Sequence, residues 1–199
     1  MLNDQKDKLL IAQGSQKKFR QLMELTADEL LHFAMGFIRD KEAAEEIVSD
    51  VYVKIWKKRS EIQKIQNLKS YLFISVKNGC LSHLRKINKE KLVLLDEYKD
   101  FHFLPVDGPE NDLIDKEAVK EIYKAIELLP PKCKLAFTLA KINGLKHKEI
   151  AEIMEVSEKT VNNHLVSAVK KITDTLGVVK KRTKSGSPLK RASLFTFFW

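Results

Sequence analysis

Lys159, Asn162, Asn163, Val166, Ser167 and Lys170 are the residues whose types and spacing point most directly to chemistry. Falling three or four apart, they would share one face of a single helix. An asparagine amide can pair at two points with the edge of adenine, and a valine can meet the methyl of thymine. Lysines on either side, with Lys171, can hold phosphates. The implied chemistry is recognition of base edges in a nucleic-acid duplex. The competing reading is an ordinary amphipathic hairpin with a solvated face.

Such a face must be aimed by the elements around it. In LKHKEIAEIMEVSEKTVNNHLVSAVKKI, residues 145–172, Ile150, Ala151, Ile153 and Met154 form the apolar side of a first helix. Val161, Leu165, Ala168, Val169 and Ile172 form that of a second. Between them Glu155, Val156 and Ser157 make a short connection. Val156 can plug the angle, Ser157 is placed as the N-cap of the second helix, and Glu158 suits its positive end. The spacing predicts a helix-turn-helix.

Composition sets the frame for this module. A chain of 199 residues can hold one or two domains, and its pI is near 9.4. The charge is uneven: net +5 over 1–88, −5 over 89–119, +3 over 120–176 and +6 over 177–199. Two basic blocks flanking an acidic connector suit two modules that touch one polyanion. Cys80 and Cys133 are the only cysteines, so one chain can build no disulfide framework and no thiolate metal cluster. A reducing cytoplasm fits, and MLNDQKDKLL lacks the apolar core of a signal peptide. No run is long enough for a membrane span.

The periodicity of the chain predicts an all-α fold: two small helical domains joined by an acidic linker, the second ending in the helix-turn-helix. The expected boundaries are 1–88, a linker at 89–115, 116–176, and a basic tail at 177–199. In the first domain, residues 4–13 form a short helix stopped by Gly14. Ser15 caps the next, and Thr26 is a candidate cap for a further piece. Residues 41–59, KEAAEEIVSDVYVKIWKKR, bury Ala44, Ile47, Val48, Val51, Tyr52, Ile55 and Trp56, leaving Glu45, Glu46, Ser49, Asp50, Val53, Lys54 and Lys57 outside. Its acidic first half and basic second half obey the helix dipole, so a solvated face also explains it.

After a polar connection at 60–66, NLKSYLFISVKNGCLSHLRK gives a third long helix at 67–86. Gly79 costs some helix stability without ending the pattern. Lys69, Ser70, Tyr71, Lys77, Asn78, His83, Arg85 and Lys86 are expected outside, cations beside an aromatic, a combination that suits single-stranded DNA. The linker holds Pro105, Gly108 and Pro109. It also holds Leu92 to Leu95, Phe101 and Phe103, which predict that part of it lies against something. Helices follow at 116–129 and 132–142. The tail, ending in Phe195, Phe197, Phe198 and Trp199, is expected to be disordered alone. A docking peptide, a weak surface anchor and a segment folded back on the protein all remain open for it.

The order of these segments resembles the extracytoplasmic-function group of the sigma-70 superfamily of bacterial sigma factors. AAEEIVSDVYVKIWKKR looks like that family's polymerase-holding segment, and NLKSYLFISVKNGCLSHLRK like its promoter-melting segment. ELLPPKCKLAFTLAKINGLKHKEIAEIMEVSEKTVNNHLVSAVKKI is similar to the domain that reads the upstream element. The resemblance covers roughly residues 15–88 and 116–173.

It implies that Glu45, Glu46, Ser49 and Asp50, with Lys54 and Trp56 behind them, dock on core RNA polymerase at the clamp of the largest subunit. The flap of the second largest subunit would be a further contact. Residues 62–70 would capture an unstacked base of the minus-ten element. Asn67, Lys69, Ser70, Tyr71, Lys77, Asn78 and Arg85 would be its DNA-binding residues. Lys148, Lys159, Thr160, Asn162, Asn163, His164, Val166, Ser167 and Lys170 would serve the minus-thirty-five element. Relatives often carry Arg where Asn162, Asn163, His164 and Ser167 stand, which affects the preferred promoter sequence. The resemblance also implies control by an anti-sigma factor.

Three other classes deserve comparison, one of them a structural helical adaptor, which would fail to bind DNA with or without polymerase. A LuxR-type helix-turn-helix activator would accept residues 148–172, but a receiver domain ahead of it needs alternating strands and helices that the first hundred residues do not offer. An enzyme would need a reactive constellation. None of His32, His83, His102, His147 and His164 lies four residues from another, and no phosphate loop or nucleophile elbow occurs. No catalytic residue, metal, cofactor, small-molecule substrate or membrane insertion is expected.

Overall fold

The computed structural model describes residues 4–87, 98, 101–104 and 113–182, and their regular elements are helices, with no strand among them. The chain divides into two compact units. One takes in Met1–Asp100 with Ala151–Glu155, the other Phe101–Ile150 with Val156–Trp199.

The first unit holds α1 (Gln5–Ala12), α2 (Gln16–Phe37), α3 (Lys41–Lys57), a 3-10 turn at Arg59–Lys64 and α4 (Leu68–Ile87). Each start has a local cause. Asp4, Ser15 and Asp40 accept backbone N–H bonds as caps of α1, α2 and α3, and Gly14 separates the first two helices at φ 92°. Thr26 caps nothing, because α2 runs unbroken past it. Its hydroxyl is buried, donates to the Leu22 carbonyl and meets the Tyr52 hydroxyl at 2.6 Å, tying α2 to α3.

Aromatic packing centres the core of this unit. Phe33 lies 4.9 Å from Phe73 and 5.2 Å from Phe37, edge to face, joining α2 to α4. On α4, a Cβ added at Gly79 would come within 2.7 Å of Ile47 Cγ2. Glycine is there because α3 and α4 approach too closely for a side chain. Residues 60–66 are less polar in effect than their composition suggests, since the 3-10 turn buries Ile62 almost completely.

The second unit is built from α5 (Leu113–Glu127), α6 (Pro131–Lys141), the first turn of α7 (His147–Met154) and α8 (Glu158–Arg182), the rest of α7 from Ala151 counting with the first unit. Pro131 opens α6 where its missing N–H costs nothing, and Gly144, at φ 60°, follows its end. Ile122, Ile126, Leu129, Phe137, Ala168 and Ile172 close the core, joined by Phe103 from the connector, whose ring lies 5.4 Å from Tyr123. Phe101 is buried too, so this end of the apolar connector does pack; Leu92 to Leu95 lie outside the described residues. Glu127 fixes the same strap, accepting from the Phe103 N–H at 2.8 Å, with His102 Nδ1 at 2.8 Å and Lys134 Nζ at 3.2 Å.

At the C-terminal end the expected start of the tail is corrected. Helix α8 continues through Gly177 to Arg182, because one glycine costs a helix about 1 kcal/mol and does not forbid it. The remainder of the tail, 183–199, lies outside the described residues.

Candidate nucleic-acid interface

Helix α8 starts at a turn set by side-chain chemistry. Glu155 takes a positive φ of 57°, and Ser157 Oγ accepts from the Thr160 N–H at 3.1 Å and meets Thr160 Oγ1 at 2.8 Å. Thr160 is therefore half-buried in the cap. Ahead of α7, the Lys146 N–H donates to Glu149 at 2.8 Å, which secures the first helix of the pair. Lys148, Lys159, Asn162, Asn163, Ser167 and Lys170 are all exposed, as is Val166 at 60%.

His164 stands apart from that row. It is half-buried, with Nδ1 3.7 Å from Cys133 Sγ, and burial followed by the nearby Lys132 charge holds its pKa below that of a free imidazole. It packs against α6 and is not part of the exposed row. Val169, expected inside, is instead 36% exposed on the margin of the outward face, because its position falls at the edge of the apolar arc.

On α3 the outward row is as the periodicity requires. Glu45, Glu46, Ser49, Asp50, Val53, Lys54 and Lys57 are exposed over a buried side of Ala44, Val48, Val51, Tyr52 and Ile55. Trp56 is half-buried: its ring packs 4.9 Å from Phe19, and the Arg59 guanidinium sits 4.9 Å over it.

Helix α4 departs further from expectation. Asn67 caps it, accepting from the Ser70 N–H at 3.1 Å, and Ser70 itself is buried rather than outside. Lys69 pairs with Glu29 at 2.9 Å. Lys77 is also buried, with its ammonium 2.8 Å from the Ile153 carbonyl and 2.7 Å from Glu155 Oε1, in the segment Ala151–Glu155 that belongs to this unit. The hydrogen bond and charge of Lys77 hold the Glu155 carboxyl below its ordinary range. Of the residues expected to meet the minus-ten element on α4, Tyr71, Asn78 and Arg85 are exposed, seven residues apart and so in one stripe along the helix.

Sequence reasoning missed Lys8. Its side chain is buried, and its ammonium donates to the carbonyls of Ile65 at 2.6 Å and Gln66 at 3.3 Å, just before α4. The available signal was its position three residues before Ile11, on the inner side of α1.

Comparison with known proteins agrees with this layout. Residues 22–90 match the family of sigma-70 region 2, and residues 120–172 match sigma-70, region 4. An ECF RNA polymerase sigma-E factor of Haemophilus influenzae is 24% identical over 165 residues, 79% of this chain and 87% of that protein. The RNA polymerase sigma-H factor of Pseudomonas aeruginosa is 21% identical over 186 residues, 88% of this chain and 96% of its own length. Among solved structures, the sigma factor RpoE of Bartonella quintana, in complex with the anti-sigma factor NepR, superposes with a TM-score of 0.60. It is 22% identical and covers 81% of this chain and 98% of its own. CnrH, in complex with the cytosolic domain of CnrY, gives 0.58 at 17% identity, over 88% of this chain and 98% of that one.

The chain belongs to the extracytoplasmic-function subfamily of sigma-70 factors. Its function is that of a sigma factor: it binds core RNA polymerase and directs promoter-specific initiation, and the activator alternative is not favoured. Sigma factors are regulators rather than enzymes. No described helix is long and apolar enough to cross a membrane.

Proposed function

We propose that the exposed faces divide the work of initiation as follows. Helix α3 docks on the polymerase clamp through Glu45, Glu46, Ser49 and Asp50, with Lys54 at the side. Trp56, packed between Phe19 and Arg59, holds that face rigid. The loop ahead of α4 captures a base of the minus-ten element. Tyr71, Asn78 and Arg85 follow the opened strand by stacking, hydrogen bonding and phosphate contact.

Asn162, Asn163, Val166 and Ser167 read base edges of the minus-thirty-five element, while Lys148, Lys159 and Lys170 contact phosphates. Capturing a flipped base favours the open form of the duplex, since extrusion costs a few kcal/mol that the pocket returns. No bond is made or broken by the protein, and the site of action is the cytoplasm, where polymerase and promoter are. By analogy with the RpoE–NepR neighbour, an anti-sigma factor would control access to these faces.

The observation that carries this reading is the exposed acidic row on α3 standing opposite a buried, largely apolar side. Charge reversal by Glu46→Lys with Asp50→Lys should weaken binding to core polymerase by on the order of tenfold or more, as expected where complementary charges set an interface. Binding to a minus-thirty-five duplex should be unchanged. Undiminished affinity for core would refute the assignment of α3.

A further inference from the structure

Helix α1 precedes the stretch that matches sigma-70 region 2. It nevertheless reaches the segment proposed above to capture a base. Lys8, 1% exposed, crosses 57 residues of sequence to place its ammonium 2.6 Å from the carbonyl of Ile65, and 3.3 Å from that of Gln66. Removing an ammonium from water is costly, and burial lowers the Lys8 pKa accordingly. Bonds to carbonyls offset that cost. An apolar side chain would fill the same space without it, so packing alone gives no reason for a lysine.

What the bonds do is fix a short piece of backbone from one side. Ile65 ends the 3-10 turn in an extended conformation, and Asn67 caps α4 from the other side through the Ser70 N–H. Between these two anchors the carbonyls are held and Gln66 stays exposed. A loop that must order itself on binding loses part of its interaction energy to that ordering, whereas a pre-ordered loop does not.

We propose that Lys8 is a positioning residue for minus-ten recognition: by holding the Ile65 and Gln66 carbonyls it pre-orders the backbone of the base-capturing loop. This rests on the reading that residues 62–70 capture a base. Lys8 touches no DNA; it acts through the loop.

The test uses holoenzyme assembled from the full chain and core polymerase. Its ligand is a single-stranded oligonucleotide carrying the minus-ten element of a promoter found by run-off mapping. An abasic site is placed at each position in turn. With the unaltered chain, one position should lose on the order of tenfold in affinity, as expected for a lost stacked base. Lys8→Met should bind the intact strand on the order of tenfold more weakly, from two carbonyls left unpaired, and should lose little more at that abasic position.

Equal weakening on intact and abasic strands would make Lys8 a general structural residue and overturn the proposal. Unaltered affinity for both would do the same. If no abasic position weakens the unaltered chain, the base-capture reading fails, and this proposal with it. If circular dichroism shows Lys8→Met unfolded, Lys8→Gln enters the same cycle; it keeps a donor without the charge, and half or more of the position-specific loss is expected.

Discussion

Helices α4 and α8 use their polar residues differently. On α8 the residues Lys159, Asn162, Asn163, Val166, Ser167 and Lys170 face outward, and the fold needs only Ser157 and Thr160 to cap the helix. On α4, Asn67 is a cap, Ser70 and Lys77 are buried and Lys69 is ion-paired, leaving Tyr71, Asn78 and Arg85 outside. The difference fits what each is proposed to recognise. A duplex offers a groove that accepts a protruding helix face. An opened strand needs a shaped recess, and holding a recess open takes side chains that bind the protein rather than the DNA.

That contrast is sharpened most by substitutions in the two helices themselves. Phe73→Ala on α4 removes a buried ring that packs on Phe33, and should cost about 3–5 kcal/mol in urea denaturation. Val166→Ala on α8 should change stability by less than about 0.5 kcal/mol and be felt only in promoter choice. Comparable destabilisation by both would break the distinction. Next in size, Gly79→Ala forces a methyl against Ile47 and should destabilise by about 1–3 kcal/mol. Ile47→Ala in the same chain should recover part of that loss in thermal melts; a neutral Gly79→Ala would show that α3 and α4 have room to separate.

On the reading side, Asn162→Ala with Asn163→Ala should reduce discrimination at the contacted base pairs by about 1–3 kcal/mol without altering the melting temperature. Promoter-library selection reads this, and an unchanged preference would remove the two amides from the recognition set.

The smallest effect concerns the strap at Glu127. Burial pushes its carboxyl up, but hydrogen bonds from His102, Phe103 and Lys134, with the Lys134 charge, together hold it below the ordinary range. A folded-state pKa below the unfolded one gives stability that is present above the unfolded pKa and lost as pH falls through the folded pKa. Stability of the second unit should therefore drop modestly in that acidic window. Glu127→Gln should flatten the drop, and a drop of equal size in the variant would assign it to other carboxyls.

Periodicity made α3 and α8 legible because a helix with one buried side and one exposed side writes that division into every turn. Val169 escaped because it lies at the edge of the arc, where spacing does not decide. Thr26 escaped for a different reason: the same hydroxyl that caps a helix can bond back to the fourth preceding carbonyl, and only the partner Tyr52 settles which. Lys8 and Lys77 were hidden by the strongest rule of all, that lysines lie outside. Their partners are carbonyls and a carboxylate distant in sequence, which no local pattern records. Ser70 and Asn67 were recognised as important positions, but the fold uses them to build the start of α4.

The central claim is that this chain confers promoter choice on core polymerase through two separate elements. Run-off transcription from genomic DNA with purified core polymerase, with and without the protein, tests it most directly when every start is mapped. New starts sharing a minus-thirty-five and a minus-ten element are the expected result. Measured binding to core with no new start at any site would contradict it.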